Sequence, residues 1–293
     1  TTKNIENQKM VIVQEMLNLE FRHLGSVPDR IRKAVFSADP VLGAEIMGAI
    51  PDLESIQKDD LCHFASEVLV PSQARLILVG DISTEKSLDL ESIFSKQMSS
   101  SIKWSSQKVS EYQPTRWFLP SENDSLLYVI WQAPAYGTKM EIASDFILEQ
   151  MVSTDSTVFT ENFSSISGWS ENDLSRGWRV LEIETEDPVQ ALEALEQILR
   201  SGELWLNLED LQIFRIKTRS LIAKLSLKNS ERARLMGECS SIEKGGVCLL
   251  WEETRRHELR LEEVLSFLLA DYSLDSASLL WIGAENKLEG ERL

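Results

Sequence analysis

Apolar residues near the start of the chain, Met10, Val13, Leu17 and Phe21, recur at three- and four-residue steps; this spacing predicts a helix over 5–21 with one buried face. A second helix is expected over 29–36. Residues 37–50, SADPVLGAEIMGAI, read as loop with a short helix, because Pro40, Gly43 and Gly48 interrupt any period. An amphipathic pattern over 58–68 opens with acidic residues, which suit the positive end of a helix. The nearly all-apolar run ARLILVGD, 74–81, predicts a short strand central in a sheet, followed by a helix over 84–94. From 95 to 110 the chain turns polar and serine-rich, the composition of a linker.

Past the linker, LLYVIWQ at 126–132 reads as a buried strand, 139–152 as a helix and 178–184 as an alternating strand. Residues 187–200, DPVQALEALEQILR, have Pro188 in the first helical turn and Arg200 in the last. A long amphipathic helix covers 208–227 and another begins over 230–236. Helix 259–270 and strand LLWIG, 279–283, close the pattern. Helices gathered in runs between strands indicate an α+β fold rather than alternating βαβ units.

The pattern repeats. Residues 56–81 lie over 259–284, with Phe64 on Phe267, Ala74 on Ala277, Leu76 on Leu279 and Gly80 on Gly283, an offset of 283 − 80 = 203. The same offset lays ENQKMVIVQEMLNLEF, 6–21, over EDLQIFRIKTRSLIAK, 209–224, without a gap. The expectation is two related α+β domains, the first incomplete at its N-terminus: 1–98, a linker over 99–115, and 116–293. A half-domain with an orphaned sheet and open core is not expected to be stable alone, so its complement should exist, covalently or not.

Composition narrows the function classes. The 293 residues hold 30 basic against 47 acidic side chains, a formal charge of −17, which opposes nonspecific binding to nucleic acid or anionic lipid and attracts basic peptides or partners. No apolar run approaches the ~18 residues of a membrane span. Cys62, Cys239 and Cys248 have no CxxC spacing and describe no disulfide framework, which favours the cytoplasm and a buried or incidental role for each thiol.

The order of segments, ENQKMVIVQEM and then MGAIPDLESIQKDDLCHFASEVLVPSQARLILVGD, resembles the second half of a domain of the M16 metallopeptidases, the insulinase, pitrilysin and mitochondrial processing peptidase family. Residues 124–283 resemble the domain that follows, with Gly168–Trp169 where family members often carry Gly-Tyr. The resemblance implies two M16-type α+β domains forming half of a clamshell that pairs with another half around a chamber for peptides. In active members an inverted HxxEH motif and a later glutamate hold zinc, whose open fourth position activates water.

Carried over residue by residue, the resemblance puts Glu15 at the glutamate ligand and Gln8 at the associated acidic position seven residues earlier. The HxxEH motif, with its histidines four apart on one helical face, would lie about 75 residues ahead of Glu15, and it occurs nowhere in this sequence. Glu15 is therefore a metal ligand only if another segment supplies the histidines, and otherwise a solvated or salt-bridged helix residue. Zinc is the cofactor in the first case, and none is implied in the second. Asn162 and Trp169 stand at the positions of an Arg and a Tyr, seven apart, that steady substrate in active members. An uncharged amide and an indole cannot reproduce those roles.

Other constellations are weaker. Trp169, Trp178, Trp205, Trp251 and Trp281 either line a peptide-binding wall or fill core. Arg255, Arg256, His257 and Arg260 interleave with Glu252, Glu253 and Glu258 as a salt-bridged helix face or an anion receiver. KGGVC, 244–248, lacks a phosphate-loop frame and reads as a turn; His63 beside Cys62 is explained by packing. The expected function is that of a noncatalytic subunit pairing with a zinc-bearing M16 chain, in a hetero- or homodimer that holds an extended peptide. The alternatives are a fragment of an active M16 zinc endopeptidase and a structural subunit like the core proteins of respiratory complex III.

Overall fold

The computed structural model describes residues 2–21, 27, 31–32, 47–70, 74, 76–81, 112–135, 138–172, 177–226, 228–241 and 256–288. In chain order the elements are α1 (Thr2–Phe21), α2 (Ile50–Ser55), α3 (Lys58–Val68), β1 (Arg116–Pro120), β2 (Leu126–Ala133), α4 (Lys139–Met151), α5 (Thr157–Asn162), β3 (Ser165–Asn172) and β4 (Gly177–Glu184). They continue as α6 (Pro188–Arg200), α7 (Gly202–Trp205), α8 (Leu208–Ser226), α9 (Asn229–Ser241), α10 (Leu261–Asp271), a 3₁₀ turn (Leu274–Ser276) and β5 (Ser278–Gly283). The fold is α+β. Contacts divide the chain into two compact units, 1–110 with 225–246, and 111–224 with 247–293. The expected helix at 84–94, the linker at 95–110 and the turn at 244–248 lie outside the described residues, as does the helix at 29–36 apart from Ile31 and Arg32.

The second unit is built on a five-stranded sheet ordered β1-β5-β2-β4-β3. β1 runs parallel to β5, and the other pairs are antiparallel. Leu127, Val129, Trp131, Leu181, Ile183, Leu279 and Trp281 share one core with Ile142, Phe146 and Met151 of α4, Leu192 and Leu195 of α6, and Val264 and Leu268 of α10. The alternate strand residues Tyr128, Ile130, Val180, Leu280 and Ile282 are buried as well, so these strands read as continuous apolar runs. Helix starts follow local chemistry. Asp187 Oδ1 accepts from the backbone N–H groups of Val189 and Gln190 at 3.1 Å, ahead of Pro188, and Thr138 Oγ1 accepts from Glu141 N at 3.1 Å.

The repeat is structural as well as sequential. α3 and α10 coincide at the offset of 203 and open alike: Gln57 N donates to Asp60 Oδ2 at 2.7 Å, and Arg260 N donates to Glu263 Oε2 at 2.8 Å. α1 and α8 also correspond, and a basic side chain of each holds the chain that precedes α3 or α10. Lys9 Nζ donates to Glu54 O at 3.0 Å, and Arg215 donates to Arg256 O at 3.0 Å and to Leu259 O.

Three expectations in the first unit need correction. Met10 and Leu17 were assigned to the buried face of α1, yet both are exposed, and the partly sheltered residues are Ile5, Lys9, Ile12, Val13 and Met16. Spacing identified the helix, but the packing of α2 and the Lys9–Glu54 contact select the face. Residues 76–79 form no strand among the described residues, because an apolar run becomes a strand only when neighbours satisfy its backbone groups. Cys62 is an exposed free thiol, and His63, its side chain 74% exposed, faces Glu67 rather than a packed neighbour. Among the described residues no helix is long and apolar enough to cross a membrane.

Glu263 supplies a pH test of the capping geometry. Its carboxyl lies below the usual glutamate range, first because Lys139 Nζ bonds it, at 2.6 Å to Oε2, and then because it accepts from Arg260 N. A depressed acid contributes stability in full above its unfolded pKa and loses it as pH falls through the native value. Thermal midpoints of the wild type should therefore fall more steeply below about pH 4.3 than those of Glu263→Gln, and the two should converge in acid. Parallel curves would show that the cap carries no stability.

Candidate functional site

A cleft of about 430 Å³ opens in the second unit between the outer strand β3, helix α4 and helix α8. Gly168, Trp169 and Ser170 form one wall, Asp145, Leu148, Glu149 and Val152 a second, and Phe214, Lys217 and Arg256 a third. Gly168 makes the narrow approach of α4 possible. A Cβ there would lie 2.7 Å from Val180 O, 3.0 Å from Leu148 Cδ1 and 3.1 Å from Val152 Cγ1.

Charges around the cleft are held in pairs. Lys217 Nζ meets Glu149 Oε1 at 2.9 Å, and that bond raises the lysine pKa. The Arg256 guanidinium lies 4.8 Å from the centre of the Phe214 ring, which packs on Phe146 at 5.2 Å. Asp145 Oδ1 accepts from Arg179 at 2.8 Å, and Arg179, fully buried on β4, lies 3.7 Å from Glu141 Oε1 and donates to the carbonyls of Glu141 and Trp178. Beneath them the buried Tyr272 hydroxyl meets Ser144 Oγ at 2.7 Å, and desolvation pushes its pKa far up. One buried guanidinium thus fixes the wall of α4 against the sheet.

The residues singled out from the sequence separate. Trp169, paired with Val180 in the middle of β3, borders the cleft, and its ring meets Tyr128 edge to face at 6.1 Å on the sheet face opposite the one Gly168 presents to α4. Asn162 ends α5, is exposed, and turns its amide back to Val158 O at 2.7 Å. Glu15 is exposed on α1 of the first unit, and Gln8 borders an apolar groove with Ile5, Ile12, Leu53, Ile56 and Leu61. Among the described residues no three His, Cys, Asp or Glu side chains come together as a metal site. Glu15 alone supplies one of the three protein ligands that catalytic zinc needs, so the residues described do not fit the ion and no step is derived through it.

The repeat adds an observation on α4. Thr218 is the counterpart of Glu15, and about 75 residues ahead of it lie Glu141 and Asp145, four apart on one helical face. The second unit therefore carries two carboxylates around a guanidinium where the resemblance would put paired histidines around a metal. Sequence reading missed Arg179, although a lone Arg in an apolar strand and two acids four apart on a helix are both visible. Trp178, Trp205 and Trp281 are core residues, and Arg256 covers Phe214 rather than standing on an exposed helix face.

The sequence pattern of the Peptidase M16 inactive domain matches residues 55–204. The chain belongs to the M16 peptidase family. This match takes in Asn162 and Trp169 and leaves Glu15 outside. No curated protein matches the M16 chain in sequence. Among solved structures it is similar to a peptidase M16 inactive domain from Pseudomonas fluorescens, at 13% identity and a TM-score of 0.78, covering 98% of this chain and 71% of that one. It is also similar to a protease from Helicobacter pylori, at 12% identity and TM-score 0.67, covering 96% and 72%. The first half of the periplasmic protease PqqL from Escherichia coli is similar at 12% identity and TM-score 0.66, covering 97% and 67%. At these identities the likeness establishes the fold, an M16 domain of noncatalytic type.

Removing Arg179 strands two buried carboxylates, so Arg179→Met should cost about 3–5 kcal/mol of unfolding free energy. Lys217→Met breaks an ion pair exposed to solvent and should cost less than ~1 kcal/mol. Urea denaturation of both variants checks the contrast, and equal losses would contradict the role given to Arg179.

Proposed function

We propose that this chain is a noncatalytic M16 subunit that pairs with a zinc-bearing M16 half around a peptide-processing chamber and holds an extended peptide along the outer edge of β3. The observation that carries the reading is that edge. β3 bonds β4 on one side, and among the described residues no strand pairs with its other side, directly above the cleft. Alternate residues of an edge strand present N–H and C=O groups outward, and an added peptide strand satisfies them with little demand on its sequence. The cleft below receives side chains of the peptide.

The chemistry of the cleft suits holding rather than cleaving. Asp145 is committed to Arg179 and Glu149 to Lys217, while Asn162 and Trp169 bring neither the charge nor the phenol of active members. The net charge of −17 favours basic peptides. The Escherichia coli relative, described as the first half of a protease, supports a chain that works as part of a larger peptidase.

Fluorescence anisotropy with an extended, basic peptide should show binding, weakened about tenfold, or ~1.4 kcal/mol, by Trp169→Ala at unchanged thermal midpoint. Hydrolysis should appear only after addition of a zinc-bearing M16 chain. Cleavage by the intact purified protein without that chain would overturn the proposal in favour of an active endopeptidase, and absence of peptide binding would favour a structural subunit.

A further inference from the structure

The two copies of the repeat differ in one systematic way: positions buried in the second are open in the first. Val11 is 48% exposed where its counterpart Phe214 is 4%, Phe64 is 61% where Phe267 is 8%, and Leu78 is 44% where Trp281 is 2%. Leu61 and Leu76 show the same contrast with Val264 and Leu279. These residues come from α1, α3 and the segment 76–79, the three pieces that the offset of 203 maps onto α8, α10 and β5. An apolar groove of about 390 Å³ lies between α1 and the α2–α3 segment of this unit.

The second unit shows what covers such a surface. β5 lies between β1 and β2, whose backbones satisfy both of its edges. Phe146 of α4 packs on Phe214, and α7 approaches α10 so closely that a Cβ on Gly202 would lie 2.4 Å from Leu268 Cδ2. All the covering elements come from residues 116–205. We propose that the face formed by α1, α3 and 76–79 is a docking surface for an α+β half-domain built like residues 116–205. Its occupant supplies two strands that flank 76–79 and a helix that lies on Val11 as α4 lies on Phe214.

A single helix would leave the backbone of 76–79 unpaired, and a bare strand would leave Val11 and Phe64 in water. A second copy of this chain has no spare elements of the required kind, because its own 116–205 already cover α8, α10 and β5. Only a half-domain satisfies backbone and apolar side chains together. The inference does not rest on the peptide-holding role of β3, since it concerns the other unit.

Hydrogen exchange on the protein purified from its source, with whatever accompanies it, tests the surface. Amides of 76–79 should be protected to a degree comparable with 279–282, and protection should be lost in residues 1–293 expressed alone. Cross-linking from Lys58 should reach polypeptide outside these 293 residues, with a strand and helix pattern like that of 116–205. Phe64→Glu should lower the thermal midpoint of the native material by several degrees, while Leu204→Glu, on an 80% exposed residue of the second unit, should leave it unchanged. Unprotected amides at 76–79 in the native material, equal protection in 1–293 alone, or cross-links only to a second copy of this sequence would each overturn the proposal.

Discussion

The second unit depends on where β5 goes. The strand arrives after α10, yet it lies between β1 and β2, so the sheet is continuous only once residues more than a hundred positions apart have met. Both neighbours contribute main-chain bonds, and every residue of β5 is buried. The same closure aligns the indoles that tie loops to the sheet: Trp131 Nε1 donates to Ser273 O at 3.0 Å, and Trp281 Nε1 donates to Glu285 O at 2.8 Å. Without β5, β1 loses its parallel partner and β2 becomes an edge.

Much of this was legible because local chemistry and tertiary packing agree. The range 58–68 is bounded by the same acidic start and apolar face that the structure uses, and β2, β4, α6 and β5 carry patterns that only a buried sheet and its helices require. β3 was missed since SISGWSEN is polar, with a glycine in the middle, and its strand character comes from pairing with β4. The face of α1 was misassigned because four apolar residues in register do not specify which neighbour covers them. For 74–81 the sequence matched a central strand, and the counterpart at β5 is one; what differs is the company each keeps.

The candidate site was readable only in part. Trp169 could be located from a resemblance, but the cleft beside it is made by residues from four separate stretches. Arg179 is the clearest case. Nothing in GWRVLEIE announces that its arginine will be sealed under a helix, because both carboxylates that justify its burial belong to α4. A guanidinium between two acids gives the second unit a rigid, fully occupied centre where a working M16 domain would need an open one. This is the physical content of calling the domain inactive.

The polar character of β3 has a consequence for assembly. Ser165, Ser167, Ser170 and Glu171 stand on a strand whose outer edge lacks a strand partner among the described residues, beside Glu182 and Glu184 of β4. Two copies meeting edge to edge would bring these carboxylates together without cations to offset them, and mutual repulsion would discourage the pairing. A visiting strand of opposite charge meets no such barrier. The edge therefore distinguishes its own kind from strangers by electrostatics, and so keeps its binding capacity from being consumed by fibril-like self-association.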